Sequence, residues 1–327
     1  MSEAVADRAR QLALPAGFLV GHVSGQRSGV SAIVCPQGTC GAVDVRGGGT
    51  ATRELEPLTL TANTDGPNVV LLCGGSAFGL VAADGAMRWL EQRGVGRMTP
   101  SGAVVPLVSA AAIFDQSAGS PPQRPTADDG YEACRLACGG VPERGGVGAG
   151  VGAAAGKLLG RRRASAGGVG YAALGCAGVT VAALAVVNPF GDVLGADGRV
   201  LAGPRGERGE LLRSVQLIAR MQAENLPLAE AYAAQNTTLV CVCTDAVLDK
   251  RACGIVARTA SAGIARAVDP AFTPVDGDVT FCLASASAQS QLLQSPREWA
   301  LTSLGAFAAS VVADAIRDAI LQRRAAR

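Results

Sequence analysis

Continuous apolar runs, more than strict alternation of apolar and polar residues, dominate the pattern along this chain. Short runs rich in β-branched residues lie at 69–73, 171–187, 239–243 and 279–283. Runs of this length and composition are typical of strands covered on both faces. Apolar residues at helical spacing instead predict helices at the following ranges: 76–93, 128–138, 210–224, 248–266 and 297–320. The pattern therefore predicts a mixed chain of buried strands and amphipathic helices.

The first part of the chain has a weaker pattern. Residues 18–46 alternate short apolar runs with Gly and Ser, as strands joined into hairpins do. Residues 46–50 predict a glycine-rich turn, and 51–66 a long polar loop. Ser76 follows a strand and two glycines, and we expect its hydroxyl to cap the next helix. This junction could hold an anion or allow close backbone approach, although tight packing alone would explain it.

Composition narrows the functional classes. The chain has 327 residues, of which 49% are hydrophobic and 17% charged, and its net charge is +2. It can therefore bury a large core, and it offers no electrostatic argument for nucleic acid or an anionic membrane. Residues 1–20 lack a sustained apolar core, so we expect no secretory signal and a cytoplasmic location. The uncharged stretch 164–191 is interrupted by glycines and a proline, which favours strands over a membrane span.

The cysteines and the single histidine do not suggest a metal site. Most of the ten cysteines lie in apolar runs, where a free thiol behaves as a small buried hydrophobe. Cys35 and Cys40, and Cys134 and Cys138, are loosely spaced, and no CxxC pair or histidine cluster accompanies them. We interpret His22 as structural.

The stretch 235–245 carries the most informative chemistry. A polar junction, Gln235 to Thr238, leads directly into the buried run at 239–243. If the chain cut itself between Asn236 and Thr237, Thr237 would gain a free α-amine beside its own hydroxyl. That amine, with an ordinary pKa of roughly 7.7–8.0, could serve as the base for the hydroxyl nucleophile. The simpler interpretation is a loop that enters a strand.

Four other residues have both a functional and an ordinary interpretation. Lys157 lies in a small-residue segment where a lysine needs either a partner or a depressed pKa, although a solvent-facing lysine is the simpler case. Asn188 could donate to an oxyanion or simply precede a turn at Pro189. Asp276 and Asp278 flank a glycine, as in many turns, and could also orient an amine or a hydroxyl.

Taken together, these segments resemble one family of self-processing amidohydrolases. The family comprises D-aminopeptidases, β-peptidyl aminopeptidases and the endo-type 6-aminohexanoate-oligomer hydrolase, or nylon hydrolase. The resemblance extends from His22 to the final helix. It rests on six motifs in order: CPQGTCGAVDVRGG at 35–48, GGSAFGLVAADGAMRWLE at 74–91, VGAGVGAAAGK at 147–157, AVVNPFGDV at 185–193, NTTLVCVCTDA at 236–246 and DGDVTFCLA at 276–284.

The resemblance implies an α/β fold, a four-layer αββα sandwich with antiparallel sheets, in a single domain spanning 1–327. It implies autocleavage into fragments 1–236 and 237–327 that stay associated, often as tetramers of the cleaved unit. Thr237 would be the nucleophile, as in the nylon-hydrolase type. Lys157 and Asn188 would assist activation and oxyanion binding, and Asp276 and Asp278 would position the amine and hydroxyl of Thr237.

The mechanism expected from this resemblance is amide hydrolysis through an acyl-enzyme, and it requires no metal or organic cofactor. Expected substrates are short peptides or ω-amino-acid oligomers, or alternatively β- or D-amino-acid amides. Acyl transfer of the ornithine-acetyltransferase kind is a second class, and a binding protein that never matures is a third. Cys241, Cys243 and the stretch 285–287 depart from the usual family pattern, which leaves the natural substrate open.

Overall fold

The computed structural model describes residues 12–116, 123–226, 236–288 and 295–325. The strands are β1 Leu19–Ser24, β2 Gly29–Val34, β3 Cys40–Val45, β4 Ala51–Arg53, β5 Val69–Cys73, β6 Arg97–Met98, β7 Val104–Val105, β8 Val108–Ala112, β9 Ala154–Ala155, β10 Ser165–Ala166, β11 Gly168–Cys176, β12 Val179–Asn188, β13 Asp192–Leu194, β14 Val200–Ala202, β15 Thr237–Thr244, β16 Val268–Asp269 and β17 Val279–Ala284. The α-helices are α1 Ala82–Glu91, α2 Ala127–Arg135, α3 Ser214–Ala223, α4 Lys250–Ala267 and α5 Arg297–Ala325.

Two five-stranded sheets form the centre of the fold. Sheet 1 has the order β1-β2-β5-β8-β4, and sheet 2 the order β11-β12-β15-β17-β3. Neighbouring strands are antiparallel in both sheets except for one parallel pair in each, β5–β8 in sheet 1 and β15–β17 in sheet 2. Antiparallel pairing therefore dominates, as predicted, and the central strand β15 has one antiparallel and one parallel neighbour.

Three apolar cores separate four layers. Alternate residues of β15 point to opposite faces, so that Leu239 packs between the two sheets and Val240 packs under α4 and α5. A third core joins sheet 1 to α1 and α2. Small residues keep the layers close: a Cβ on Gly170 would lie 1.9 Å from the Ala315 carbonyl oxygen of α5. The αββα sandwich predicted for this sequence is confirmed.

Several local predictions were wrong. The strand at 40–45 is not part of an N-terminal hairpin, because β3 pairs with β17 at the edge of sheet 2. The loop predicted at 51–66 contains β4, which pairs with β8, and a short 3₁₀ helix at Glu56–Leu58. Ser76 does not cap a helix with its side chain. It has a φ of 58° and begins a 3₁₀ helix, Ser76–Val81, that precedes α1.

Helix α5 is long and apolar enough to cross a membrane by length and composition alone. The core helix of a globular protein passes the same test, and here Leu304, Val312 and Ile316 of α5 pack in the core beneath sheet 2. The uncharged stretch 164–191 forms the hairpin β11–β12, as the strand interpretation predicted. The helix expected at 210–224 is shorter, and its Val215 is exposed rather than buried.

Candidate active site

Strand register places Asn188 directly opposite Thr237. Asn188 is the last residue of β12 and Thr237 the first of β15, and the two are partners in the antiparallel ladder. Side chains two residues apart share a face, so Thr237 points to the same side as Leu239, into the layer between the sheets. Both residues are buried. The junction predicted to be chemically active therefore lies at the end of two central strands.

The peptide bond between Asn236 and Thr237 is held at its carbonyl oxygen. Gly277 donates its backbone N–H to the Asn236 oxygen at 2.9 Å, and the Thr237 hydroxyl also donates to that oxygen. The nucleophile expected from the sequence thus already contacts the carbonyl that it would attack. A Cβ on Gly277 would lie 2.9 Å from Thr237 Oγ1, so this position favours glycine.

Lys157 lies beside this junction because its backbone is hydrogen-bonded to the segment that comes after β12. Gly156 donates to the Gly191 carbonyl at 3.0 Å and Lys157 to the Phe190 carbonyl at 3.2 Å. The Lys157 side chain is 2% exposed, and its Nζ donates to the Asn188 carbonyl oxygen at 2.8 Å. The solvent-facing interpretation of this lysine is wrong.

The setting of Lys157 favours a neutral amine. Burial lowers the pKa of the Lys157 amine well below its ordinary value, and Arg161 lowers it further. The nearby carboxylates of Asp276, Asp115 and Asp278 oppose this shift but do not reverse it. A neutral lysine amine can accept a proton, as a general base must.

The Asn188 side chain is fixed between the two sheets. Its Oδ1 accepts the Ala154 N–H at 3.0 Å, and its Nδ2 donates to the Phe114 carbonyl oxygen at 3.3 Å, just beyond β8. A donor at this point is expected to help an oxyanion form in a substrate bound next to Thr237. The amide therefore also links β12, the neighbour of the nucleophile strand, to the segment that follows β8 of sheet 1.

The two aspartates hold the backbone on the other side of the junction. Asp278 Oδ1 accepts the Thr238 N–H at 2.6 Å, and its Oδ2 accepts the Phe272 N–H at 3.0 Å. Asp276 Oδ1 accepts the Phe190 N–H at 3.0 Å, and Thr273 donates to its Oδ2. Asp276 therefore ties the segment after β12 to the segment before β17.

Burial also sets the protonation of this pair. Desolvation raises the pKa of Asp278 to about 7, with a smaller contribution from the negative charge of Asp276. Desolvation likewise raises the pKa of Asp276, although hydrogen bonds from Thr273 and Phe190 and the charge of Lys157 oppose the change. Asp278 can therefore change protonation state close to the pH range in which an α-amine titrates.

The glycine-rich turn at 46–50 packs against these aspartates. Arg46 and Gly47 donate their N–H groups to the Asp278 carbonyl at 3.0 and 3.2 Å. A Cβ on Gly47 would lie 2.3 Å from the Asp278 nitrogen, so only glycine allows this approach. A motif that the sequence presented only as a turn thus helps to position the site.

The structure brings all five predicted site residues, Thr237, Lys157, Asn188, Asp276 and Asp278, to one place. Gly277 was missed because its contribution is a backbone N–H, which every residue except proline carries. The close approach of Gly47 was missed for a similar reason. His22 lies elsewhere, partly buried beside Ser31, and desolvation lowers its pKa to about 4. Within the described ranges, no cluster of three or more His, Cys, Asp or Glu could hold a metal ion.

Comparison with known proteins identifies the family. The family model described as peptidase family S58 matches residues 15–327. An aminopeptidase of Mycobacterium leprae, itself uncharacterised, is 40% identical over 93% of this chain and 88% of its own length. The 6-aminohexanoate-oligomer endohydrolase of a Kocuria species is 29% identical over 91% of this chain and 82% of its own.

Solved structures share the fold. A β-aminopeptidase from a Burkholderia species superposes with a TM-score of 0.68 at 21% identity, covering 94% of this chain and 85% of that one. The L-aminopeptidase D-Ala-esterase/amidase of Ochrobactrum anthropi, described as a variant of the Ntn-hydrolase fold, gives a TM-score of 0.65 at 18% identity over 97% and 85%. With a family model that spans nearly its whole length, the chain belongs to peptidase family S58 and is a hydrolase of peptide-type amide bonds.

Proposed function

We propose that this hydrolase matures by cutting itself between Asn236 and Thr237, and that Thr237 is then its nucleophile. The observation that carries the proposal is the double engagement of the Asn236 carbonyl oxygen, by the Gly277 N–H at 2.9 Å and by the Thr237 hydroxyl. A carbonyl already polarised by one fixed donor and contacted by a hydroxyl is set for attack.

Self-cleavage would proceed through an ester. The neutral Lys157 amine takes the hydroxyl proton as Thr237 Oγ bonds to the Asn236 carbonyl carbon. The Gly277 N–H stabilises the oxyanion, the C–N bond breaks, and the proton passes to the departing Thr237 nitrogen. Water then hydrolyses the ester, which leaves a carboxylate on Asn236 and a free α-amine on Thr237. No step requires a group other than water and the residues named.

The new α-amine would lie near Lys157. The Thr238 N–H points toward β17, where Asp278 accepts it, and successive N–H groups of a strand point to opposite neighbours. The Thr237 nitrogen therefore faces β12 and the Asn188 carbonyl, which already accepts Lys157 Nζ. Burial at this position would disfavour the charged form of the α-amine, and so favour its action as a base at neutral pH.

Hydrolysis of a substrate would repeat this chemistry. Thr237 Oγ attacks the scissile carbonyl, its α-amine takes the proton, and donors at Asn188 and Gly277 stabilise the oxyanion. The leaving amine departs with a proton, and water resolves the acyl-enzyme. Asp276 and Asp278 position Thr237 through the backbone contacts described above.

The substrate class we propose is linear amides of short peptides or ω-amino-acid oligomers. Relatives named as aminopeptidases and as a 6-aminohexanoate-oligomer endohydrolase support this choice. Hydrolysis of β- or D-amino-acid amides is the nearest alternative. Acyl transfer of the ornithine-acetyltransferase kind would need an amine acceptor to outcompete water at the acyl-enzyme.

The two fragments are expected to remain together. Strands β15 and β17 of 237–327 lie between β12 and β3 of 1–236 in one continuous sheet. Separation would expose both buried faces of these strands, which makes dissociation costly. A tetramer of cleaved units in the cytoplasm remains our expectation for the assembled enzyme.

A product assay tests the proposed activity. Purified protein is incubated with a panel of short peptide and ω-amino-acid amides, with and without hydroxylamine as acceptor, and products are followed by mass spectrometry. We expect hydrolysis products, loss of all turnover in Thr237→Ala, and partial turnover in Thr237→Ser, which keeps a hydroxyl. Acceptor adducts that outpace hydrolysis would favour a transferase, and full activity in Thr237→Ala would exclude Thr237 as nucleophile.

A further inference from the structure

A second group of buried polar atoms makes or breaks no bond in the mechanism above, although two of its members, Asp115 and Arg161, influence the pKa of Lys157. Asp115, just beyond β8, is 2% exposed and Ser28, between β1 and β2, is 4% exposed. Asp115 Oδ2, Ser28 Oγ and Arg161 Nη1 are buried without a hydrogen-bond partner among the described residues. Buried polar atoms nearly always have a partner, so three together indicate a place for ligand atoms.

Two glycines allow these polar atoms to approach the backbone closely. A Cβ on Gly74 would lie 2.2 Å from Ser28 Oγ and 2.3 Å from Asp115 Oδ2. A Cβ on Gly152 would lie 2.9 Å from Asp115 Oδ2, and Arg161 donates its Nη2 to the Gly152 carbonyl. A side chain at Gly74 or Gly152 would collide with Asp115, so glycine at both positions preserves the arrangement of the polar atoms.

The group adjoins a surface cavity on one side and the Asn188 side chain on the other. Ser28 and Gly29 line an open cavity of about 420 Å³ whose other walls include Gln123 and Arg124. On the inner side, Phe114 precedes Asp115 and accepts the side-chain N–H of Asn188, the residue opposite Thr237. These links place the Asp115 carboxylate on the order of 10 Å from Thr237.

The free atoms offer both an acceptor and a donor. Asp115 Oδ1 already accepts the Gly75 N–H at 2.8 Å and Gln116 Nε2 at 2.9 Å, which leaves Oδ2 free to accept from a ligand. Arg161 Nη1 is a free donor, and Ser28 Oγ can do either. Arg161 would repel an ammonium group and Asp115 a carboxylate. A neutral amide presents an N–H and a C=O together, and so matches both without adding charge.

We propose that Asp115, Arg161 and Ser28 form a subsite for a second amide group of the substrate. The N–H of that amide would donate to Asp115 Oδ2 and its carbonyl would accept from Arg161 Nη1. The inference rests on the proposed function and narrows its substrate class to linear amides with at least two amide groups, one at Thr237 and the next in this subsite.

Matched substrates test the subsite. The linear dimer and trimer of 6-aminohexanoate carry the same charged ends and differ by one amide unit. The measurement is the ratio of kcat/KM for trimer over dimer in the natural enzyme and in Asp115→Asn and Ser28→Ala. Asp197→Asn, in an exposed turn, is the control, and an intact mass spectrum first establishes that each variant has matured.

We expect the trimer-to-dimer ratio to fall about tenfold in Asp115→Asn, mainly through a higher KM for the trimer, because a hydrogen bond to a charged group is lost. Ser28→Ala should lower the ratio less, and Asp197→Asn should leave it unchanged. An equal fall in kcat/KM for dimer and trimer would identify an ammonium site instead. An unchanged ratio in mature variants would mean that only water binds the three polar atoms. Either result overturns the subsite, whereas a natural chain that neither cuts itself nor hydrolyses any amide refutes the proposed function.

Discussion

The chain contains only two lysines, and they lie in regions of opposite character. Lys250, at the start of α4, donates Nζ to the Pro57 carbonyl at 2.7 Å and to the Thr64 carbonyl, in an arrangement that suits an ammonium ion. Lys157 is enclosed beside Thr237, where burial and Arg161 lower its pKa. The same type of side chain therefore anchors the loop between β4 and β5 in one region and can take a proton in the other.

This difference shows how the surroundings of a lysine determine its effect on stability and on reactivity. Lys250 gains partners when the chain folds, so it stabilises the native state. Folding lowers the pKa of Lys157, which costs free energy at every pH below its ordinary pKa, and the protein nevertheless keeps this lysine next to the scissile bond. A buried ionisable group that destabilises the fold and is kept next to a reactive bond is typical of a functional site.

The largest expected effect is on the rate of self-cleavage, which should depend on Lys157 and not on Lys250. Replacing Lys157 by Met removes the base for the Thr237 hydroxyl, so self-cleavage should slow by at least about a hundredfold. Lys157→Arg should be equally slow, because a guanidinium stays protonated. Lys250→Met should cleave at close to the natural rate. The measurement is the fraction of cleaved chain against time, and fast cleavage in Lys157→Met would exclude this base.

The same pair should change stability in opposite directions. The Lys157 amine has a lowered pKa when folded, so between that pKa and its ordinary value the unfolded chain binds more protons and stability rises with pH. At pH 7, Lys157→Met should therefore raise the free energy of unfolding, with a gain that shrinks as the pH rises. Lys250→Met should lower it by about 1–3 kcal/mol through lost charged hydrogen bonds. Urea titrations at pH 7 and 9, on chains made uncleavable by Thr237→Ala, measure both.

The contribution of Asp278 to stability should change with pH in the opposite direction to that of Lys157. Its pKa rises from 3.8 to about 7 on folding, so between those values the native state holds a proton that the unfolded chain has released. Stability contributed by this group is present at low pH and is lost as the pH rises through 7, by at most about 4 kcal/mol. In Asp278→Asn this part of the pH dependence should disappear. An identical slope between pH 4 and 7 in both proteins would contradict the assigned shift.

The smallest expected effect concerns Arg161. Its positive charge helps to lower the pKa of Lys157, so Arg161→Gln should raise that pKa and leave less neutral amine at a given pH. The acid side of the pH–rate profile for self-cleavage should move to higher pH, with little change at high pH. Arg162→Gln, an exposed neighbour, is the control. A shift in the other direction would show that Lys157 does not set the profile.

Part of this account could be predicted from the sequence. The buried run after Thr238 indicated β15, and the motifs around Lys157, Asn188 and Asp276 indicated residues that the fold indeed brings together. These residues could be predicted because residue types and the apolar pattern of strands can be read directly from the sequence.

Other features depend on chain pairing that local patterns do not specify. The place of β3 at the edge of sheet 2 depends on pairing with β17, near the other end of the chain. Gly277 acts through its backbone N–H, which carries no residue-specific signal. Asp115 became a candidate only when the structure showed an unpartnered oxygen next to Ser28 and Arg161. Ser76 looked like a helix cap, but its N–H bonds the Ile113 carbonyl instead.

The most direct test of the central claim is an intact mass spectrum of freshly purified protein beside Thr237→Ala. The account predicts two fragments, 1–236 and 237–327, that co-purify in the natural protein, and one uncut chain in the variant. A single intact chain under all conditions, or a cut at another bond, would leave Thr237 without its α-amine. That result would contradict the proposed nucleophile and its base together.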